Sequence, residues 1–497
     1  MNRMKIYIIT ILSICSLISL DAQNFSDALR YSRTLSSGTA RSIAVGNSIG
    51  ALGADFSIVG INPAGLATYA KSEFMFSPSF VTGNIDASYN GGGLQASSLG
   101  NKFYLENVGY VNANIVRGYS SLSRSNWSIG LSRIADFNET ISYSGFDDKS
   151  ITERWLENAD GINAADLDNF ESGLAYDAEA IYDIGSDLLY EADIFEEESV
   201  NKEQIVERNG GINELSFTWA GNYNEKFSLG FGLGVPIINF EETKTYFEND
   251  NGDMVPVFNE LSFRENLSVS GTGINFKIGA ILHSIPNIRI GLSYISKSWY
   301  IVNEDFDTDI GYSYTIDDET FTSRVESPLG SFRYRLSTPS RLRLDAAYLL
   351  TSGDIKGFIS AGLQYLNYAS NSFNLGAYSS NPADIQYGEQ INGMIDNELA
   401  SAFNYNLGVE LAKSHWRIRA GVIFQSSPFD VDSGEADNIY SAGLGYRANK
   451  IFIDLAWRGL ANTEAYSPYD ISDPARLQQV NIDKSINKFV LTTGFKF

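Results

Sequence analysis

Strand-like runs separated by turns fill the chain from Glu73 onward, and the connections between them alternate between short and long. The runs lie at 73–82, 105–116, 126–137, 212–222, 226–240, 262–282, 288–300, 331–350, 355–370, 402–413, 415–427, 438–448, 450–460 and 487–497. The short connections lie at 117–125, 223–225, 283–287, 351–354, His415 and Asn449. Bacterial outer-membrane barrels have an even number of antiparallel strands, with short turns at one rim and long loops at the other. We therefore predict an all-β fold, an antiparallel transmembrane β-barrel of about 14 strands over residues 73–497. A large β-sandwich or propeller is the alternative, although neither requires this parity.

The last run shows the two-sided pattern of a membrane strand. Phe489, Leu491, Phe495 and Phe497 share one side of a period-two pattern, and polar residues such as Thr492 occupy the other. The lipid-facing side of such a strand must be apolar, whereas the side that faces the lumen can be polar. We expect this strand to close the barrel against the first one, and Phe497 to be recognised by the barrel assembly machinery.

Charged residues within the runs are predicted to face the lumen, because Arg or Lys on the lipid face near mid-membrane costs about 2–4 kcal/mol. The charged residues assigned to the lumen in this way are Arg289, Arg343, Asp345, Arg417, Arg419, Asp454 and Arg458. Two roles are open to them. They could orient the carboxylate of a ligand, or they could form a satisfied polar network that holds an inner domain. We favour the network for most of them.

The N-terminus predicts export. Basic residues at Arg3 and Lys5 precede an apolar run from Ile6 to Leu20, so residues 1–22 read as a signal peptide. The only cysteine, Cys15, lies within that run, so we expect neither a lipid anchor nor a disulfide. We predict a location in the outer membrane of a Gram-negative cell, in contact with its lipids, with the N-terminus in the periplasm before the inner domain inserts. The net charge of −24 argues against a nucleic-acid partner.

Residues 23–72 do not alternate, and they carry the most specific motif of the chain. A stretch rich in small residues from Gly38 to Asp55 leads into Asn62-Pro63-Ala64-Gly65, where Asn-Pro starts a turn. An Asn-Pro-Ala-Gly after such a stretch, ahead of a barrel, resembles the outer-membrane long-chain fatty acid transporter family (FadL/TodX-like proteins), and most closely its Bacteroidetes branch.

The resemblance implies a barrel of fourteen strands plugged by an N-terminal hatch, here residues 23–72. It also implies passive transport of a hydrophobic small molecule such as a long-chain fatty acid, without a cofactor. Asn62, Pro63 and Ala64 match the hatch motif and Gly65 extends it, so we expect gating to involve these four residues. Because related proteins serve as accessories in protein secretion, a barrel that binds partners without transport is the alternative. The identity of the ligand stays open.

The acidic insertion 138–211 departs from the family pattern. It holds 20 Asp or Glu residues against four Lys or Arg. We interpret it as a solvated cap on the cell-facing rim, with ligand or partner capture as the alternative.

Other motifs are weaker. The run from Glu304 to Gly311 resembles a calcium loop, but its glycine and closing glutamate are misplaced. Gly46-Asn47-Ser48-Ile49-Gly50 fits the pattern of a nucleophile elbow, yet it lies in the predicted hatch, and both histidines, His283 and His415, fall in or beside predicted periplasmic turns. We expect no enzyme activity, and no Cys/His cluster predicts a metal site.

Overall fold

A closed antiparallel barrel forms the body of the protein. The computed structural model describes residues 21–497 apart from 35–36, 90–91, 99, 118–119, 186–187, 196, 253 and 430–436. Most of the predicted signal peptide, residues 1–20, lies outside the described residues. None of the helices within the described ranges has the length and apolar character needed to cross a membrane.

The strands are β1 (Glu73–Tyr89), β2 (Gly92–Ser98), β3 (Lys102–Asn112), β4 (Leu122–Asp136), β5 (Glu139–Asp147), β6 (Tyr182–Asp183), β7 (Tyr190–Glu191), β8 (Val200–Tyr223), β9 (Phe227–Asn249), β10 (Phe258–Ile285), β11 (Ile288–Ile295), β12 (Trp299–Ile316), β13 (Glu319–Glu326), β14 (Gly330–Ser337), β15 (Arg341–Ser352), β16 (Ile355–Asn367), β17 (Ser372–Asn374), β18 (Ser401–Lys413), β19 (Trp416–Gln425), β20 (Asp437–Arg447), β21 (Ile451–Tyr466) and β22 (Val480–Lys496). The α-helices are α1 (Asp21–Ser32), α2 (Ala40–Ala44), α3 (Ile151–Ala159), α4 (Ser172–Asp177) and α5 (Pro382–Glu398). Short 3-10 helices include Phe56–Gly60 and Pro63–Thr68.

Fourteen wall positions close the barrel, which confirms the predicted fold class. In order around the wall they are β1, β3, β4, β8, β9, β10, β11 with β12, β14 with β15, β16, β18, β19, β20, β21 and β22. The ladder from Glu73↔Lys496 to Tyr89↔Val480 joins the last strand to the first. The break between β14 and β15 contains Pro339, which has no N–H to donate to the ladder.

Apolar and polar side chains alternate across the wall as the sequence predicts. On β15, Leu342 and Leu344 are about half exposed on the outside, while Arg343 and Asp345 are buried inside. On β22, Phe489, Leu491, Phe495 and Phe497 are all exposed on the outside. This apolar outer surface identifies the barrel as an outer-membrane protein.

The wall extends well beyond the predicted strands on the side of the long connections. The predicted loop 138–211 is wrong at both ends, because β5 pairs with β8 from Glu139↔Arg208 to Asp147↔Val200. Likewise β9 and β10 pair as far as Asn249↔Glu260, and β12 continues to Ile316. Polar residues occupy both faces of a strand once it leaves the membrane, so these extensions lack the alternation that marks a lipid-facing strand.

Residues 148–199 fold into a cap above the barrel. Helix α3 begins with a capping box, in which Ser150 and Glu153 satisfy each other's backbone N–H groups. The indole of Trp155 is fully buried and meets Phe263 edge-on at 5.8 Å between ring centroids. The middle of the insertion is therefore packed, with an apolar core that it shares with the wall extensions, and it is not a solvated loop.

The N-terminal residues lie inside the barrel. Residues 37–72, called the inner segment below, comprise α2 and two 3-10 helices, and their apolar side chains pack together with wall residues such as Met75, Ala220 and Phe452. Helix α1 lies on the long-loop side, where Ala28 and Tyr31 share a buried cluster with Ile391 and Ile395 of α5.

Candidate functional site

A window interrupts the wall between β3 and β4. Their ladder runs only from Asn112↔Trp127 to Asn107↔Ser132. Beyond Asn107, β3 continues to pair with β1 and β4 continues to pair with β8. The wall closes again nearer the long loops, where the rings of Tyr89 and Tyr143 stack at 6.0 Å.

Irregularities in both strands produce this window. In β3 the register shifts opposite Pro78, which cannot donate to the ladder, so that Glu106 and Asn107 are both buried. In β4 a second shift lies between Arg133 and Ala135. The Arg133 guanidinium spans the interruption and lies over the Tyr104 ring of β3, 4.4 Å from its centroid.

A cavity of about 210 Å³ lies behind the window. Its apolar lining consists of Val81, Phe137, Phe240, Ile439, Leu460 and Ile486. Its charged lining consists of Arg30, Lys102, Asp136, Glu139, Arg208, Arg458 and Lys488. The cavity therefore combines an apolar surface with an excess of cationic groups.

Three of the cationic groups at this cavity, Arg30, Arg208 and Lys488, have carboxylate partners in the wall, and Arg30 and Arg208 share Glu242. Lys488 donates to Oε1 of Glu106 at 2.8 Å, and Arg208 donates to Oε1 of Glu139 at 2.5 Å. Arg458 is also buried beside the cavity. Of the predicted lumen charges, Arg458 is the one that lines this space.

Helix α1 covers the cavity from the long-loop side. Tyr31 meets Phe137 edge-on at 6.0 Å between ring centroids, and the Arg30 guanidinium lies 4.2 Å from the centroid of the Phe240 ring. Arg30 also pairs with Asp27. Burial raises the pKa of Asp27 to about 6, although the charge of Arg30 opposes that rise.

The Asn62-Pro63-Ala64-Gly65 motif anchors the inner segment to the wall. The Asn62 side chain caps the second 3-10 helix by accepting from Ala64 N at 3.2 Å. Its Nδ2 donates to the carbonyl of Gly50 at 2.8 Å and to that of Ala280 on β10 at 3.3 Å. The sequence did not reveal that the motif docks directly on wall strands.

Wall glycines permit this close approach. A Cβ on Gly279 would overlap Oδ1 of Asn62, and one on Gly230 would overlap the backbone of Pro63 and Ala64. The absence of side chains at Gly230 and Gly279 therefore lets the inner segment lie directly against the wall.

Two of the seven predicted lumen charges, Arg289 and Arg343, donate directly to the inner segment. Arg289 donates to the carbonyl of Leu52 at 2.8 Å. Arg343 donates to the carbonyl of Asn47 at 2.8 Å and pairs with Asp345. These contacts support the network role that the sequence favoured over ligand binding.

A cluster of charged wall residues, Arg419, Glu410 and Asp454, binds α2 through Arg41. Arg419 pairs with Glu410 at 2.5 Å and with Asp454 at 2.7 Å, and Arg41 of α2 reaches the same Glu410 at 3.3 Å. Arg417 stays near the short turn, where it donates to the carbonyl of Ser414 at 3.0 Å.

Several docking residues were missed by the sequence reasoning. Further polar side chains that contact the inner segment from the wall are Asn126, Ser293, Ser360, Asn406, Glu410 and Thr492. Their inward position follows from strand alternation, but the sequence alone does not show which inner residue each one meets.

The discounted motifs lie outside this cavity. Ser48 is buried and contacts the Val45 carbonyl and Ser360, while His283 contacts Ser228 and His415 contacts Ser414. The run 304–311 lies on β12, where side chains alternate between two faces and cannot wrap around one ion. No group of three or more potential metal ligands was found among the described residues.

Solved structures with the same architecture include several outer-membrane channels. The Pseudomonas putida toluene transporter TodX has a TM-score of 0.54 at 12% identity, covering 93% of this chain and 99% of that one. The fold is that of the FadL-like transporters. A Pseudomonas aeruginosa FadL homologue has a TM-score of 0.52 at 12% identity with the same coverage.

A third FadL-like barrel, the Ralstonia pickettii toluene transporter TbuX, has a TM-score of 0.50 at 13% identity, covering 93% of this chain and 99% of that one. No family model and no curated protein matches the chain. At these identities the likeness establishes a shared fold, and the FadL-like barrel of this protein must be assigned its ligand on other grounds.

Proposed function

We propose that this FadL-like barrel carries hydrophobic small molecules across the outer membrane without an energy source. The observation that carries the proposal is the cavity beside a window in the wall. Toluene transporters and a FadL homologue with the same architecture support it.

The geometry favours a sideways route through the window. Toward the short turns, the Phe56 ring of the inner segment packs against Gly109 and Gly130, directly below the window. Outside the barrel, Phe103 and Leu105 are exposed beside the window on β3. An apolar molecule that leaves the cavity through this window therefore meets lipid and not water.

The cavity favours an elongated molecule with one acidic end, such as a long-chain fatty acid. The apolar lining buries a hydrocarbon chain at about 25 cal/mol per Å². The guanidinium and ammonium groups in the lining, Arg458 among them, can donate to a carboxylate. Gating would involve a shift of α1 or of the inner segment near Asn62–Gly65.

Cross-linking the window tests this proposal. The chain has no cysteine apart from Cys15, so Tyr104→Cys/Arg133→Cys introduces a unique pair across the window. A short, cleavable bis-maleimide should strongly reduce uptake of a radiolabelled long-chain fatty acid by cells that lack their own transporter, and cleavage should restore it.

A matched control places the same cross-link in an intact part of the wall. Leu342 and Tyr365 are cross-strand partners with exposed side chains, so Leu342→Cys/Tyr365→Cys should cross-link without loss of uptake. Full uptake through a cross-linked window would exclude the sideways route. Equal loss in the control would show that the reagent acts elsewhere.

The folded cap supports a second candidate function, the binding of a partner. Asp147 and Val200 face each other across β5 and β8, so a short turn in place of residues 148–199 keeps this ladder, although it uncovers wall residues such as Phe263 that pack against the cap. Undiminished uptake by this variant would leave the cap free for partner binding. Lost uptake would make the cap part of the transport route.

A further inference from the structure

One row of cross-strand partners marks the edge of the apolar outer surface on the long-loop side of the barrel. The row across β9, β10, β12 and β14 consists of Ile237, Thr272, Ile301 and Arg335. Toward the short turns, the outward side chains are apolar, such as Ile274 and Trp299. Toward the long loops they are polar, such as Ser270 and Asn303. The row therefore lies at the boundary between lipid tails and headgroups of the outer leaflet.

Two arginines project outward at this boundary. Arg335 lies in the row and Arg333 lies one outward position beyond it, about 7 Å along the strand. Both are exposed, whereas the alternate residues Tyr334 and Leu336 face inward and are buried. Outward-facing arginines at this depth face the headgroup layer of the membrane.

Both guanidinium groups converge on one exposed tyrosine ring. The Cζ atoms of Arg333 and Arg335 lie 4.5 Å and 5.6 Å from the centroid of the Tyr378 ring. Neither guanidinium has a carboxylate within 4.0 Å among the described residues, whereas the exposed Arg324 pairs with Asp309 at 2.7 Å. Two like charges gathered over one ring repel each other unless an anion lies between them.

We propose that Arg333, Arg335 and Tyr378 bind the phosphate of an anionic lipid in the outer leaflet. The planar guanidinium presents paired N–H donors that match phosphate oxygens, and tyrosine is favoured at the headgroup level. The depth of the pair selects a membrane lipid over a soluble anion. Asp305, opposite Ser331 and one step farther from the membrane, repels an anion placed above the pair. This site is independent of what passes through the barrel.

Native mass spectrometry of the full barrel, loaded with defined lipids, tests the site. The wild type should retain lipid A and phosphatidylglycerol in preference to phosphatidylcholine. Arg333→Gln/Arg335→Gln should lower retention of both anionic lipids at least tenfold, or about 1.4 kcal/mol. Arg264→Gln removes another exposed arginine, farther from the membrane on β10, and should change nothing.

Folded barrels are compared throughout, selected by their heat-modifiable migration on gels. Arg333→Lys/Arg335→Lys keeps the charge without the fork and should give intermediate retention. Equal retention by the wild type and the glutamine variant would overturn the proposal. Displacement of the lipid by inorganic phosphate would also overturn it, because the site would then recognise a free anion.

Discussion

Gly279→Ala should loosen the inner segment, although the substitution adds a single methyl group. The new Cβ would overlap Oδ1 of Asn62, so the Asn62 amide must move. Gly60→Ala is the matched control, because a Cβ at Gly60 meets nothing within 4 Å. Both variants make the same chemical change, and only the first touches the anchor.

The size of the effect follows from the hydrogen bonds of Asn62. Its amide donates to Gly50 O and Ala280 O and accepts from Ala64 N. A net contribution of about 0.5–1.5 kcal/mol per bond gives a loss of about 1.5–4.5 kcal/mol in docking free energy. Ala in place of Gly favours the strand slightly, which opposes only a small part of this loss.

Hydrogen exchange of purified barrels in detergent micelles measures this loss. The backbone N–H groups of Ala64 and Gly65 both donate hydrogen bonds to Asn62, so their exchange rates report directly on this anchor. Their exchange should quicken by roughly tenfold to a thousandfold in Gly279→Ala, as each 1.4 kcal/mol corresponds to a factor of ten. Exchange should stay unchanged in Gly60→Ala. Protection in Gly279→Ala equal to that of the wild type would refute the view that this contact anchors the segment.

Three further predictions concern buried charge and packing. Glu410→Gln should destabilise the folded barrel by about 3 kcal/mol in urea titrations, because it removes the carboxylate that buried Arg41 and Arg419 share and leaves only Arg419 with a second carboxylate partner, Asp454; Glu389→Gln at an exposed position of α5 should have little effect. Proteolysis of α1 should slow as the pH falls from about 7 toward 4, because burial raises the pKa of Asp27 to about 6 and protonation therefore favours the docked helix. Asp27→Asn should weaken this dependence, to which Glu304 also contributes because burial raises its pKa to about 7. Trp155→Ala should lower the free energy of unfolding of the cap by about 3–5 kcal/mol, so that protease cleaves the cap while the barrel keeps its heat-modifiable migration on gels. If the variant lost this migration as well, cap and barrel would unfold as one unit.

The membrane-embedded strands could be predicted because lipid imposes alternation on every one of them. Arg343 and Arg419 were assigned inward for that reason, and both are buried inside. The extensions could not be predicted in the same way. From Glu241 to Asn249, β9 has water or the cap beside it, so both of its faces tolerate polar residues. The acidic character of 138–211 likewise concealed the apolar core around Trp155.

The candidate site was predicted only in part, since docking depends on partners far apart in sequence. Strand parity shows that Glu410 faces inward, but only the folded chain brings it to Arg41, 369 positions away. The Asn62 motif was recognised as a turn and a family signature. Its function as a wall anchor rests on Gly230 of β9 and Gly279 of β10, and the sequence does not show which inner residue meets each of them.

The sequence of β3 departs from strict alternation at the window, so alternation alone would assign the wrong orientation to one of its side chains. Strict period two would turn either Glu106 or Asn107 outward, yet both are buried. The cause lies on the neighbouring strand, where Pro78 withholds a backbone donor and the ladder gains an extra residue opposite it. Glu106 then turns inward to Lys488, and β3 leaves β4 at this residue, since Asn107 is the last residue of the ladder between them. A proline in a membrane strand opposite two consecutive polar residues is therefore a usable signal for an opening in a barrel wall.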